Sequence, residues 1–254
     1  MGRQQVLAVV GLVIGSVTSP AMAQTFQNND FISWSQIAWH NVSSELSQGF
    51  DTAFASTGDL MQIGIPGSAG NSIIFDDPKY VVAFLPATGA SGALSIDLLD
   101  PVVSSSGGYG GEVAALTLNV AFSDAGLLKG NLNVPFGNLI LKDLTGDLSF
   151  ANGLSVRQVL ADANTVLGGG AEPNSSVTLT DMFTLTNDID MSFNGGPVSA
   201  FAMQNFVYPE TTVSAPEIDP APMGGAVVLL IGALAVVRAG RSSDGLPPRA
   251  KAPS

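Results

Sequence analysis

Residues 221–237 form an apolar run with no charged side chain, framed by Pro216-Glu217-Ile218-Asp219-Pro220 before it and by Arg238 and Arg241 after it. At ~1.5 Å per residue such a run makes roughly 25 Å of helix. That is slightly less than the ~30 Å thickness of bilayer hydrocarbon, a mismatch that thinning or snorkelling of Arg238 absorbs. A core helix is the poorer reading, because the run follows a Pro-rich stretch and precedes a polar tail. The segment is therefore expected to be a transmembrane helix, and it removes the end of the chain from whatever domain the rest can form. The arginines place 238–254 on the cytoplasmic side as a basic tail and the bulk of the chain outside.

The N-terminus agrees with export. Arg3 supplies a positive region, residues 6–17 an apolar stretch too short to span a bilayer, and Pro20-Ala21-Met22-Ala23 a small-residue processing site. With Ala21 at −3 and Ala23 at −1, signal peptidase cleavage is expected before Gln24. The resulting division is a signal peptide and signal helix over 1–23, an extracellular domain over 24–208, a Pro-rich linker with the motif over 209–220, the membrane helix over 221–237 and the tail.

The motif, the apolar helix and the arginine pair together resemble the PEP-CTERM sorting signals of Gram-negative bacteria, in the variant that reads Pro-Glu-Ile-Asp-Pro. The resemblance covers about a tenth of the chain. It implies recognition by an exosortase, a membrane cysteine peptidase-transpeptidase that processes near the motif. Transient residence in the inner membrane would be followed by delivery to the cell surface or the exopolysaccharide matrix. One departure is the continuation of the chain through 242–254, with Pro247, Pro248, Arg249 and Lys251.

Between its ends the chain is acidic. Residues 24–215 hold 18 Asp and Glu against Lys79, Lys129, Lys142 and Arg157, a net charge of −14. Nucleic acid is excluded as a partner, since neutralising phosphates needs clustered cations. Cysteine is absent, so disulfides and thiolate metal sites are excluded and burial alone must hold the domain. The length suffices for one core.

The elements are readable unevenly. Residues 61–65 alternate as a short strand. Asp77 and Pro78 start a helix that runs through Val81 and Phe84 and stops before Pro86. Residues 112–122 fit both templates, a strand through Leu116, Leu118, Val120 and Phe122 or a helical stripe of Val113, Leu116, Thr117 and Val120. Residues 135–141 read as a strand. The clearest helix is 156–167, with Ser155 and Gln158 as a capping box, Leu154 stapled onto Val159, a face of Val156, Val159, Leu160, Ala163 and Leu167, and an αL stop in Gly168-Gly169-Gly170. A second helix is expected over 181–193, extended chain over 198–208, and turns at the glycines of 107–111. The fold class expected is α+β, a single helix-rich domain with short strands, the alternative being a mostly β sandwich.

A second resemblance rests on the 50–54 block, Ile63-Gly64, Ala83-Phe84-Leu85-Pro86, the stretch 111–120, Phe136-Gly137-Asn138-Leu139 and the stretch 153–170. This order is similar to a module of bacterial secreted surface proteins with varied anchors. It implies a surface role, transfers no functional residue and inclines 112–122 toward helix.

Few residues offer chemistry. His40 is the sole histidine, without a second histidine or a G-x-S-x-G serine, so no catalytic residue is assigned. The acids are too many for spacing to single out a glycosidase pair. Asn187-Asp188-Ile189-Asp190 with Asn194, and Asp76-Asp77, offer hard oxygens for calcium but no EF-hand spacing. Asp188 and Asp190 are the calcium candidates of this kind, and solvated acids on a helix face account for them equally. Trp34 and Trp39 are read as core anchors rather than a sugar platform. No cofactor is called for, calcium being the one ion with ligands on offer. The expected function is an exported surface or matrix protein with a structural or adhesive role. Its expected partners are signal peptidase, an exosortase-type peptidase, the membrane through the C-terminal helix, and extracellular polysaccharide. The alternatives are a secreted polysaccharide-acting hydrolase or a calcium-dependent glycan-binding module.

Overall fold

The structure, a computed structural model, describes residues 25–209. Ala21, Ala23, Gln24, the motif 216–220, the apolar run 221–237 and Arg238 and Arg241 lie outside the described residues. Among the described residues no helix is long and apolar enough to cross a membrane.

Helices dominate an α+β arrangement. In chain order they are α1 (Gln36–Asn41), α2 (Ser43–Phe54), α3 (Pro78–Phe84), α4 (Gly107–Asp124), α5 (Val156–Leu167), α6 (Leu179–Asp190) and α7 (Ala200–Asn205). The strands are short: β1 (Met61–Gly64), β2 (Ser72–Phe75), β3 (Leu98–Leu99), β4 (Ile140–Leu141) and β5 (Phe206–Val207). Strand β1 pairs antiparallel with β2 from Met61↔Phe75 to Gly64↔Ser72, and β2 pairs parallel with β3. The other sheet is the two-residue ladder of β4 and β5. Two sheets this small do not make a sandwich, so the mostly β alternative is not what these residues form.

Helix α4 is the axis of the fold. Its Tyr109, Val113, Ala114, Ala115, Leu118 and Phe122 join one core cluster, with Trp39, Phe50, Met61, Ile73, Phe75 and Phe84. Its Leu116 and Val120 join another, with Phe31, Phe136, Val159, Ile189 and Phe193. Because α4 packs against α1, α2, α5, α6 and β1, it is buried on nearly every side, and a helix apolar all round carries no periodic stripe. That is why strand and helix templates fitted 112–122 equally. Trp39 is fully buried and Trp34 half-buried against the first cluster, in keeping with the core reading.

Where local rules are complete the structure follows them. Asp77 accepts from the Lys79 N–H and Pro78 opens α3. The Ser155–Gln158 capping box opens α5, and Gly169, at φ +86°, turns the chain away after Gly168. Helix α6 begins earlier than expected, because Thr178 and Asp181 form a second capping box, and 191–193 continue it as a 3₁₀ turn.

Three expectations are corrected. Residues 135–141 are not a strand throughout: Phe136–Asn138 is a 3₁₀ turn, its first N–H donating to Ser123 Oγ at 2.9 Å, and only Ile140–Leu141 pairs. Residues 198–208 are mostly helix, because Ser199 caps α7 by accepting from Ala202 N; only Phe206–Val207 is extended. The glycines of 107–111 are the first turns of α4 rather than a loop.

One face residue is also reassigned. Leu160 is half-buried between the two clusters, whereas Leu167 is fully buried. Leu167→Ala is therefore expected to cost about 2–5 kcal/mol and Leu160→Ala distinctly less, with Arg157→Ala smaller still because its bidentate pair with Asp124 is largely exposed. Urea midpoints of the three variants rank them.

Candidate functional site

The most constrained chemistry lies inside the helix-rich core. Helix α4 places Glu112 and Asn119 seven residues apart, hence on one face, and the C-terminal turn of α6 places Asp190 beside them. All three are buried, Asn119 and Asp190 completely. Gln36, at the start of α1, closes the group. Its Oε1 accepts from Ala87 N at 2.9 Å and its Nε2 donates to Glu112 Oε1 at 2.6 Å. On the other side Asn119 Nδ2 donates to Asp190 Oδ1 at 2.8 Å and to the Trp34 carbonyl at 2.9 Å. Asn119 Oδ1 accepts from Trp34 N at 2.8 Å and from the Trp39 indole N–H at 3.1 Å. Ser33 Oγ donates to the Asp190 carbonyl at 2.7 Å and accepts from Phe193 N at 3.1 Å.

One atom is left over. Among the described residues Asp190 Oδ2 is the buried side-chain oxygen without a hydrogen-bond donor, and the carboxyl it belongs to lies within hydrogen-bonding reach of Glu112. Two carboxylates have only acceptors to offer, so one proton between them is what completes the chain of bonds from Ala87 to Trp39. Burial raises the Glu112 carboxyl above the usual carboxylate range, and burial together with the Glu112 charge raises Asp190 well above it. Gln36 already supplies Glu112 with a donor, whereas Asp190 Oδ2 has none, so a proton shared by the two carboxyls satisfies the atom left over. The two carboxyls titrate as a unit.

This arrangement changes what the expected site residues can do. Asp190 is neither a solvated acid nor open to an ion at the surface. Asp188, its fellow calcium candidate, is half-buried, and burial raises its carboxyl as well. Asn194 Oδ1 accepts from Ser35 N at 3.1 Å, and Asp77 serves α3 as its cap and pairs with Lys79 at 2.6 Å. Among the described residues no group of three or more acids and histidines is placed to hold a metal ion. His40 is exposed, its Nδ1 3.0 Å from the Val82 carbonyl. Glu112, Asn119 and Gln36 escaped the sequence reading. The available signal was two strongly polar residues, seven apart, inside an otherwise apolar helical stretch.

Two surface concavities flank the core. A cavity of about 530 Å³ is walled by Trp34, Trp39 and Phe122, with Glu45, Gln48 and Lys129 among its polar lining. A wider groove of about 900 Å³ runs between α2, β1, α4 and α5, lined by Thr57, Gln62, Asn164 and Thr165 and bounded by Arg157 and Asp124. Neither Glu112 nor Asp190 lines either one.

Comparison with family models, with curated proteins and with solved structures returned no match.

Proposed function

We propose that this chain is an exported cell-surface or matrix protein with a structural or adhesive role, sorted by an exosortase-type system. The observation that carries this reading is the pairing of two sorting segments around one domain: a signal sequence ending at Ala21 and Ala23, and the tail of Pro216-Glu217-Ile218-Asp219-Pro220, apolar run, Arg238 and Arg241. The acidic, lysine-poor composition of 24–215 suits an extracellular setting. The described domain supports contact rather than turnover as its work, because its close carboxyl pair is spent on joining α4 to α6 and lines neither concavity described above. A second reading, a polysaccharide-binding or polysaccharide-acting domain, is favoured by the cavity beside the half-buried Trp34, since an aromatic ring with Glu45, Gln48 and Lys129 at its polar rim suits a sugar ring.

Intact mass and N-terminal sequence of the surface-associated form test the sorting proposal. The expected mature chain begins at Gln24 and ends near Pro216–Glu217, because the motif lies just outside the apolar run, within reach of a membrane peptidase. Glu217→Ala, or Arg238→Glu with Arg241→Glu, should leave precursor in the inner membrane. A mature mass unchanged in those variants, or a start more than a few residues from Gln24, refutes the proposal.

A further inference from the structure

We infer that Glu112 and Asp190, with the single proton between them, form a clasp that fastens segment 33–41 onto α4 and α6, and that removing this proton on the alkaline side loosens that segment.

Segment 33–41 reaches the core through polar contacts at both ends of the chain of bonds. Ser33 is tied to the Asp190 carbonyl and to Phe193, Trp34 to Asn119 through both its N–H and its carbonyl, Gln36 to Glu112, and Trp39 through its indole to Asn119. Asn119 is oriented in turn by Asp190 Oδ1. The two halves of the network, Gln36–Glu112 and Asp190–Asn119–Trp34, meet only at the carboxyl pair. With one proton present every buried atom there has a partner. With none, two like charges face each other in a low-dielectric interior, and one carboxyl must turn away or admit water. Either movement pulls on Gln36 or on Asn119, and both carry segment 33–41.

Among the described residues no opposite charge stands ready to compensate. The ionisable groups on the surrounding elements are Asp30 in the N-terminal segment, His40 on α1, Glu45 and Asp51 on α2, Lys79 and Tyr80 on α3, Tyr109 and Asp124 on α4, Arg157 and Asp162 on α5, and Asp181 and Asp188 on α6. Their partners lie elsewhere: Lys79 with Asp77, Arg157 with Asp124, Tyr109 with the Ala163 carbonyl. No cation contributes to the state of either carboxyl. The sign is set by the raised acid. The folded state holds the proton more tightly than the unfolded state, so this stabilisation is present at low pH. It declines as pH rises from the ordinary Asp range, ~3.9, and is lost above the pair's own transition.

The chain reports on itself, because Trp34 and Trp39 are its two tryptophans and both bond to Asn119. Tryptophan emission and amide hydrogen exchange of the full-length chain in mild detergent, between pH 5 and 9.5, form the test. In the wild type the emission should shift to the red as pH rises. After correction for the chemical exchange rate, the amides of Trp34 and Ser35, which donate to Asn119 and Asn194, should lose protection by about tenfold per pH unit as pH rises toward the midpoint, the slope of one proton, and level off above it. Asp190→Asn keeps an acceptor for Asn119 and supplies an N–H to Glu112, so it should hold the acid-side emission across the whole range. Glu112→Gln offers Asp190 a permanent donor and should abolish the transition likewise, which covers the case that one variant does not fold. A wild type with constant emission and protection, or a transition of the same midpoint in a folded Asp190→Asn or Glu112→Gln variant, overturns the inference.

Discussion

Replacing Asn119 with leucine is expected to remove most of the folding stability of this domain. The side chain is fully buried and takes part in four hydrogen bonds: from Trp34 N, from the Trp39 indole, to the Trp34 carbonyl and to Asp190 Oδ1. Leucine keeps the branched outline and the number of side-chain heavy atoms, but its methyl groups are bulkier, so some overpacking adds to a loss that is chiefly polar. Each stranded buried group costs about 1–3 kcal/mol, and four of them approach the ~5–15 kcal/mol of total stability common to domains of this kind. Asn119→Asp separates the contributions. It keeps the oxygen that Trp34 N and the Trp39 indole need, loses both N–H donors, and places a third acid against the carboxyl pair. Its damage should thus ease on acidification, where the new carboxyl is protonated and can donate, while that of Asn119→Leu should not. Urea unfolding followed by far-ultraviolet circular dichroism at pH 5 and pH 8 decides. A midpoint close to wild type for Asn119→Leu would mean that the polar network is incidental to the fold.

What the sequence made legible divides along the range of the interactions involved. Helices α3 and α5 were readable to the residue because their determinants are local: Asp77 before Pro78, and Ser155 with Gln158 before an amphipathic face closed by glycines. The type of α4 stayed open because its neighbours surround it, and burial on every side erases the contrast that periodicity measures. Short elements such as α7 and the 3₁₀ turn at Phe136–Asn138 are decided by single contacts, Ala202 N to Ser199 and Phe136 N to Ser123, that leave little trace in a pattern. The buried carboxyls were the least legible. Asp190 follows Asp188 in an acidic stretch that reads equally well as a solvated face, and only the meeting of α4 with α6, 71 residues apart at Asn119 and Asp190, turns it inward. Segment 107–111 misled for a related reason. Glycines there signal a turn by local rules, but their purpose is tertiary.

Gly111 shows that purpose, and Gly111→Ala is expected to destabilise the protein even though alanine is the better helix former by about 1 kcal/mol. A Cβ at this position would overlap Gln36 Oε1 and come within 2.5 Å of Gln36 Cδ and 2.9 Å of the Ala87 methyl. The amide cannot simply retreat, because it bridges Ala87 N and Glu112 Oε1 at 2.9 and 2.6 Å. Making room therefore costs about 1–3 kcal/mol for overpacking in addition to the bonds that Gln36 gives up, which outweighs the propensity gain. Gly108, one turn earlier, has no such neighbour: its added Cβ would meet Phe183 at an ordinary 3.4 Å. Gly108→Ala should accordingly be neutral or stabilise by up to about 1 kcal/mol. Two alanines introduced into the same helical turn thus carry opposite expected signs, and thermal or urea melts of the two variants read the difference directly. Equal shifts would mean that the glycines serve the helix start alone and that the close approach of Gln36 to α4 is not what retains Gly111.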